Sequence, residues 1–252
     1  MDGLLLLAFA ALLAFICEYI DSSLGMGYGT ILAPVLLLFG FEPLILIPAV
    51  LFSQAAAGFV AAAFHHRFEN VNFGPGARDS RIVYTITVFG IAATVFAAFV
   101  AVSIPKRFLT TYIGLLILTV GILLLCRREF KFSWGKIIAV GLLSAFNKGI
   151  SGGGFGPLVT SGQIVSGQNY RNSIGITTLT EAPICMASFL TYMVLRGTAD
   201  WQLIAALCIG ATAAAPLGAF ATKKFSSAWL KITVAYLTLT MGILLLLKTW
   251  VL

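Results

Sequence analysis

Apolar runs of roughly 17–25 residues, the length needed to cross a bilayer as a helix, recur along nearly the whole chain. A segment of that kind must satisfy its backbone N–H and C=O groups internally, which leaves α-helices as the spanning structure. Composition agrees: 60% of residues are hydrophobic, 10% are charged and the mean hydropathy is +1.01. A soluble domain would carry about a quarter of its residues as charge. The sequence is therefore read as an all-α polytopic membrane protein with one transmembrane domain.

Ten apolar segments are expected, near residues 4–19, 30–39, 44–64, 82–102, 109–125, 137–146, 158–165, 173–195, 201–221 and 230–247. The first carries Asp2 rather than a basic leader and runs on to Glu18 and Asp21, so it reads as a membrane segment and not a cleavable signal. His65 to Arg81 is the longest polar loop, and His65 and His66 are expected at an interface. Trp134, Trp201, Trp229 and Trp250 lie near segment ends, where interfacial anchors belong.

The two halves match. Gly25, Gly27 and Gly29 correspond to Gly152, Gly154 and Gly156, and the same offset of 127 sets Asp21 against Lys148 and Gln54 against Glu181. Gly90 matches Gly210, and the T-V-G-I-L-L-L run from Thr119 matches T-M-G-I-L-L-L from Thr240. This predicts two repeats, residues 1–126 and 134–252, joined by a basic linker.

Loop charge orients them. With all ten segments counted as crossings, one side carries eleven basic residues: Arg67, Arg78, Arg81, Arg127, Arg128, Lys131, Lys136, Arg171, Lys223, Lys224 and Lys231. The other carries five: Lys106, Arg107, Lys148, Arg196 and Lys248. The positive-inside rule puts the first side in the cytoplasm and both termini outside, with the repeats inverted. The second and seventh segments are too short to span, so each is expected to pair with its predecessor as a broken or re-entrant helix at the glycines. The number of true spans lies between six and ten. Inverted repeats with short, glycine-interrupted segments in matching positions point to a transporter site near the midplane.

The stretch from Gly141 to Pro157 is the strongest candidate for that site. Lys148 is costly in a bilayer unless it is paired, snorkels or faces a wet cavity. Its ammonium, with Asn147, Ser151 and the backbone of Gly152, Gly153 and Gly154, is expected to bind a small anion in such a cavity. An ion-pair role and a snorkelling lysine remain the alternatives. Gly25, Gly27, Gln54 and Gln163 are expected along the same path, and Arg171 at its cytoplasmic mouth. Glu18, Asp21 and Glu181 are candidate proton carriers, with an interfacial role open for Asp21. Pro34 and Pro157 are expected to restrict helix continuation.

Other chemistries find no support. The formal charge of +7 is distributed among short loops, with no basic arm for nucleic acid. Cys17, Cys126, Cys185 and Cys208 are scattered without metal-ligand spacing. No nucleophile–base set or nucleotide fingerprint is present, so neither an enzyme nor a cofactor is expected.

The paired motifs G-M-G-Y-G-T-I-L-A-P (Gly25 to Pro34) and N-K-G-I-S-G-G-G-F-G-P (Asn147 to Pro157) make the chain similar to the sulfite exporter TauE/SafE family. That resemblance implies a secondary carrier of sulfite, sulfonates or related organosulfur acids in a prokaryotic inner membrane, with protons as the coupling ion. An anion channel, and an accessory membrane protein without transport, are the competing classes.

Overall fold

The computed structural model describes residues 3–125, 134–165, 168–224 and 228–251. Cys126, Arg127, Arg128 and Lys131 lie outside the described residues, as do the side chains of Trp134, Lys136, Trp229 and Lys231. Ten helices follow in order: α1 (Gly3–Leu24), α2 (Tyr28–Leu38), α3 (Pro43–Arg67), α4 (Arg78–Ser103), α5 (Lys106–Leu125), α6 (Trp134–Ser151), α7 (Phe155–Val165), α8 (Tyr170–Arg196), α9 (Trp201–Lys224) and α10 (Ala228–Trp250). Six of them, α1, α3, α4, α5, α8 and α9, are long and apolar enough to cross a membrane. The protein is thus a six-span helical membrane bundle as far as it is described.

Local chemistry sets the helix ends. Pro43 occupies the first turn of α3, where its missing N–H costs nothing. Asn169 caps α8 by accepting the Arg171 N–H at 2.9 Å, and Gly197 ends it in the left-handed conformation at φ 66°. Several helices run further than expected. α1 continues past Tyr19 to Leu24, which brings Glu18 and Asp21 inside it. α6 continues past Phe146 to Ser151, so Asn147 and Lys148 occupy its last turns.

α3 extends to Arg67 and carries both histidines in its last turn: His65 is buried and accepts a bond from Asn70 Nδ2 at 3.0 Å, while His66 is exposed. Pro34 lies inside α2, beyond its break, whereas Pro157 sits in the first turn of α7, where it has no N–H to bond back across the break to Gly153; positive-φ glycines form the turns themselves.

α1 packs on α9, α4 on α6, α3 on both α8 and α9, α4 on α8, and α5 on α10. Small residues allow these approaches. A Cβ at Gly210 would overlap the Ala11 carbonyl oxygen, and one at Gly58 would stand 3.1 Å from the Ala182 Cβ. In lipid, where apolar side chains gain nothing by leaving the solvent, such close packing is what drives helix association. The main apolar core draws on α1, α2, α3, α5, α9 and α10 and on parts of α4, α6 and α8, with a second, smaller cluster among α4, α6, α7 and α8.

Candidate functional site

At 11 residues each, α2 and α7 rise only about 16 Å, roughly half the hydrocarbon thickness. They are separated from α1 and α6 by glycine breaks, and the breaks touch. A Cβ on Gly29 would overlap the Gly152 carbonyl oxygen, while one on Gly156 would stand 2.5 Å from the Gly25 carbonyl oxygen. Gly25 and Gly152 hold φ +70° and +73°, a region that side-chain-bearing residues avoid. The glycines therefore serve both the turn and the backbone contact.

Around this contact the helix ends deliver charge. Lys148, at the end of α6, is 1% exposed. Its ammonium lies 2.7 Å from Glu181 Oε1 of α8 and donates to Gln54 Oε1 of α3 at 2.5 Å. Gln54 Nε2 donates to Asp21 Oδ2 of α1 at 3.1 Å, and Asp21 Oδ1 accepts the Tyr28 N–H of α2 at 3.1 Å. The amide orientation follows from its neighbours: an ammonium can only donate and an ionised carboxylate only accept. One continuous chain, Asp21–Gln54–Lys148–Glu181, joins four helices. Asp21 also sets a carboxylate at the positive end of α2.

Lys148 is closed off from solvent and ion-paired in this structure. Of the readings open for Lys148, the ion pair is the one in place. Asp21, 4% exposed, is likewise interior rather than interfacial. Glu18 lies one turn from Asp21; its Oε1 accepts from Ser22 Oγ at 2.6 Å, while its buried Oε2 has no partner among the described residues.

The remaining candidates divide. Ser151 Oγ donates to the Asn147 carbonyl at 2.6 Å and accepts the Gly153 N–H at 3.1 Å; the Gly154 N–H goes to Thr30 Oγ1 at 3.2 Å. These amides already have partners within the protein. Gln163 donates to Thr177 Oγ1 at 3.1 Å, and Thr177 bonds Thr160, whose hydroxyl donates to the Gly25 carbonyl at 2.7 Å. Gln163 Oε1 is buried without a partner. Arg171 is exposed in the first turn of α8 and, among the described residues, shares no hydrogen bond or ion pair with the cluster.

Three tyrosines not singled out from the sequence also form hydrogen bonds near the site. The Tyr112 hydroxyl donates to Asn147 Oδ1, Tyr28 Oη and Ser53 Oγ share a bond of 2.6 Å, and Tyr192 Oη donates to the Gly149 carbonyl at 2.9 Å. Each is a tyrosine in an apolar stretch, a pattern shared by ordinary core tyrosines. The usable signal is that a buried phenol needs a polar partner.

A buried chain of ionisable side chains inside a membrane helical bundle marks a functional site by default. The chain belongs to the Sulfite exporter TauE/SafE family, whose sequence model matches residues 10–245. It is 27% identical over 267 aligned residues to the probable membrane transporter protein YtnM of Bacillus subtilis (strain 168), with 100% of this chain and 85% of the relative covered. No solved structure matches it.

Proposed function

We propose that the protein is a proton-coupled secondary transporter of small oxyanions, sulfite, sulfonate or related organosulfur acids, working by alternating access in a bacterial inner membrane. The observation that carries this reading is the Lys148–Glu181 pair, tied through Gln54 to Asp21 beside two touching helix breaks. Lys148 is the anion's anchor, with Asn147, Ser151 and the glycine amides of residues 152–154 around it. Gly25, Gly27, Gln54 and Gln163 border the path, and Arg171 stands at its mouth.

Charge balance supports the coupling. The cluster holds one ammonium and three carboxyls, Glu18, Asp21 and Glu181. An anion drawn to Lys148 displaces Glu181 and meets buried negative charge, so its entry is favoured when a proton neutralises an acid at the same time. Anion and proton then move in the same direction. Glu18, with no cation bonded to it, is the acid best placed to receive a proton without breaking an ion pair.

Internal symmetry supports the alternation. Exchanging each helix with the one five places later maps the α1–α9 contact onto α6–α4 and α3–α9 onto α8–α4, and leaves α3–α8 and α5–α10 unchanged. The reciprocal contacts Gly29–Gly152 and Gly156–Gly25 obey the same exchange. These relations favour two repeats, residues 1–126 and 134–252. Loop charge favours their inversion, with both termini outside and α1–α2 and α6–α7 as re-entrant or broken pairs.

The test is flux in proteoliposomes with sulfite, taurine-like sulfonates and carboxylates, with and without a proton gradient. Saturable sulfite or sulfonate accumulation that follows the proton gradient is expected. Uncoupled flux set by voltage alone would indicate a channel, and no flux of any anion would end the transport reading.

A further inference from the structure

The end of the bundle that carries the α2–α3 and α4–α5 turns holds a cavity of about 380 Å³ that the transport reading leaves unused. Lys106, Arg107 and Lys248 line it, together with Thr110, and Leu37 and Phe41 supply apolar wall. Lys106 is paired with Glu42 at 2.6 Å, and that hydrogen bond holds the Glu42 carboxyl below its usual range. The other two cations have no carboxylate partner among the described residues. Lys248 donates to the Leu37 and Leu38 carbonyls at 3.2 and 2.7 Å. Arg107 stacks over Trp250 at 4.0 Å, and Trp250 Nε1 donates to Thr111 Oγ1 at 2.9 Å.

A three-cation pocket with one acid attracts an oxyanion, and a guanidinium fork fits phosphate oxygens in pairs. The start of α5 at Lys106 adds a helix N-terminus of the same sign. Two features select the source of that oxyanion. The wall is apolar, which a free inorganic anion does not use. Trp250, on which Arg107 stacks, is of a residue type enriched at the level of lipid headgroups.

We propose that this pocket binds the phosphate of an anionic membrane-lipid headgroup, with the glycerol and upper acyl region against Leu37 and Phe41. Lys248 also holds the last carbonyls of α2, the helix whose first N–H is bonded to Asp21. A bound headgroup therefore steadies the far end of the helix that starts at the charge cluster. The site does not depend on the identity of the transported substrate.

The experiment is thermal unfolding of the purified full-length protein in mild detergent, followed with added phosphatidylglycerol, phosphatidylcholine or inorganic phosphate. Phosphatidylglycerol is expected to raise the midpoint by about 3 °C more than phosphatidylcholine. The Arg107→Gln/Lys248→Gln double variant should lose most of that difference, and Glu42→Gln, which frees Lys106, should enlarge it. Thr110→Phe keeps all the charges but fills the space, and should also lose the difference; it decides the matter if the double variant does not fold. Equal shifts with both lipids, or a phosphatidylglycerol shift unchanged in Thr110→Phe, would overturn the proposal. A residue-dependent shift with inorganic phosphate and none specific to phosphatidylglycerol would overturn the lipid assignment and leave a free-anion site.

Discussion

Lys148 shows why stability and transport must be measured together. Removing one partner of a buried ion pair leaves the other uncompensated, at a cost of about 3–5 kcal/mol, whereas replacing both by apolar or neutral groups is often near neutral. Lys148→Met should therefore lower the unfolding midpoint and abolish flux. Adding Glu181→Gln should restore most of the stability and none of the flux. Recovery of flux in the double variant would show that the ammonium holds the helices together and does not bind the anion. Glu18 offers the complementary case, because Glu18→Gln keeps the length of the side chain and its acceptor for Ser22 while removing the proton-carrying group. The expected result is flux that persists down an anion gradient but no longer responds to an imposed proton gradient, with the midpoint nearly unchanged. Retained proton-driven accumulation would move that role to Asp21 or Glu181.

At the scale of elements, the glycine breaks do their work through backbone contact, and this is testable with one methyl group at a time. Gly29→Ala would press its Cβ into the Gly152 carbonyl and Gly153→Ala would bring one to 2.7 Å from the Gly29 carbonyl, both without a flexible side chain to yield. Each should reduce flux strongly, by tenfold or about 1.4 kcal/mol if the breaks are forced apart in the active states. Gly162→Ala, whose Cβ would meet only Val140 Cγ1 at an ordinary 3.5 Å, is the control and should transport normally. Equal activity in all three would mean that the breaks need not stay in contact. The breaks were legible because glycine clusters interrupt apolar runs, and the charges because they are rare in such runs. Their partnerships were not. Lys148 and Glu181 are on different helices, and nothing in local spacing selects Glu181 over Asp21 as the ammonium's partner. Helix ends also read short: Asn147 and Ser151 look like loop residues by polarity, yet they complete the last turns of α6 because their side chains find buried partners. Polarity alone does not show that His65 turns inward at the end of α3, where Asn70 gives its ring a partner.

For the whole molecule, the membership in a transporter family and the six-span bundle leave orientation as the feature on which the mechanism turns. Contacts already divide the loops between two ends. Asp79 at the start of α4 accepts from Asn172 Nδ2 at 2.7 Å, which places the α3–α4 turn beside the start of α8. Glu42, Lys106 and Lys248 gather at the pocket end. The proposed orientation, from the positive-inside rule, sets the first of these ends in the cytoplasm. Single cysteines at Gly74 and Asn169 should then be labelled by a membrane-impermeant thiol reagent only after cells are opened, and one at Gly40 in intact spheroplasts, in a background with the native cysteines replaced. Cys17 and Cys185 are buried and should contribute little signal even if retained. Gly74 and Asn169 reacting from opposite sides would break the inverted arrangement. Both reacting from outside, with Gly40 inside, would keep the inversion but turn the molecule over. Alternating access adds a further demand: a cysteine at Thr30, beside the Gly154 amide, should change its labelling rate when a transported anion and a proton gradient are applied together. A rate indifferent to both would leave a static bundle whose buried charges serve only to hold it closed.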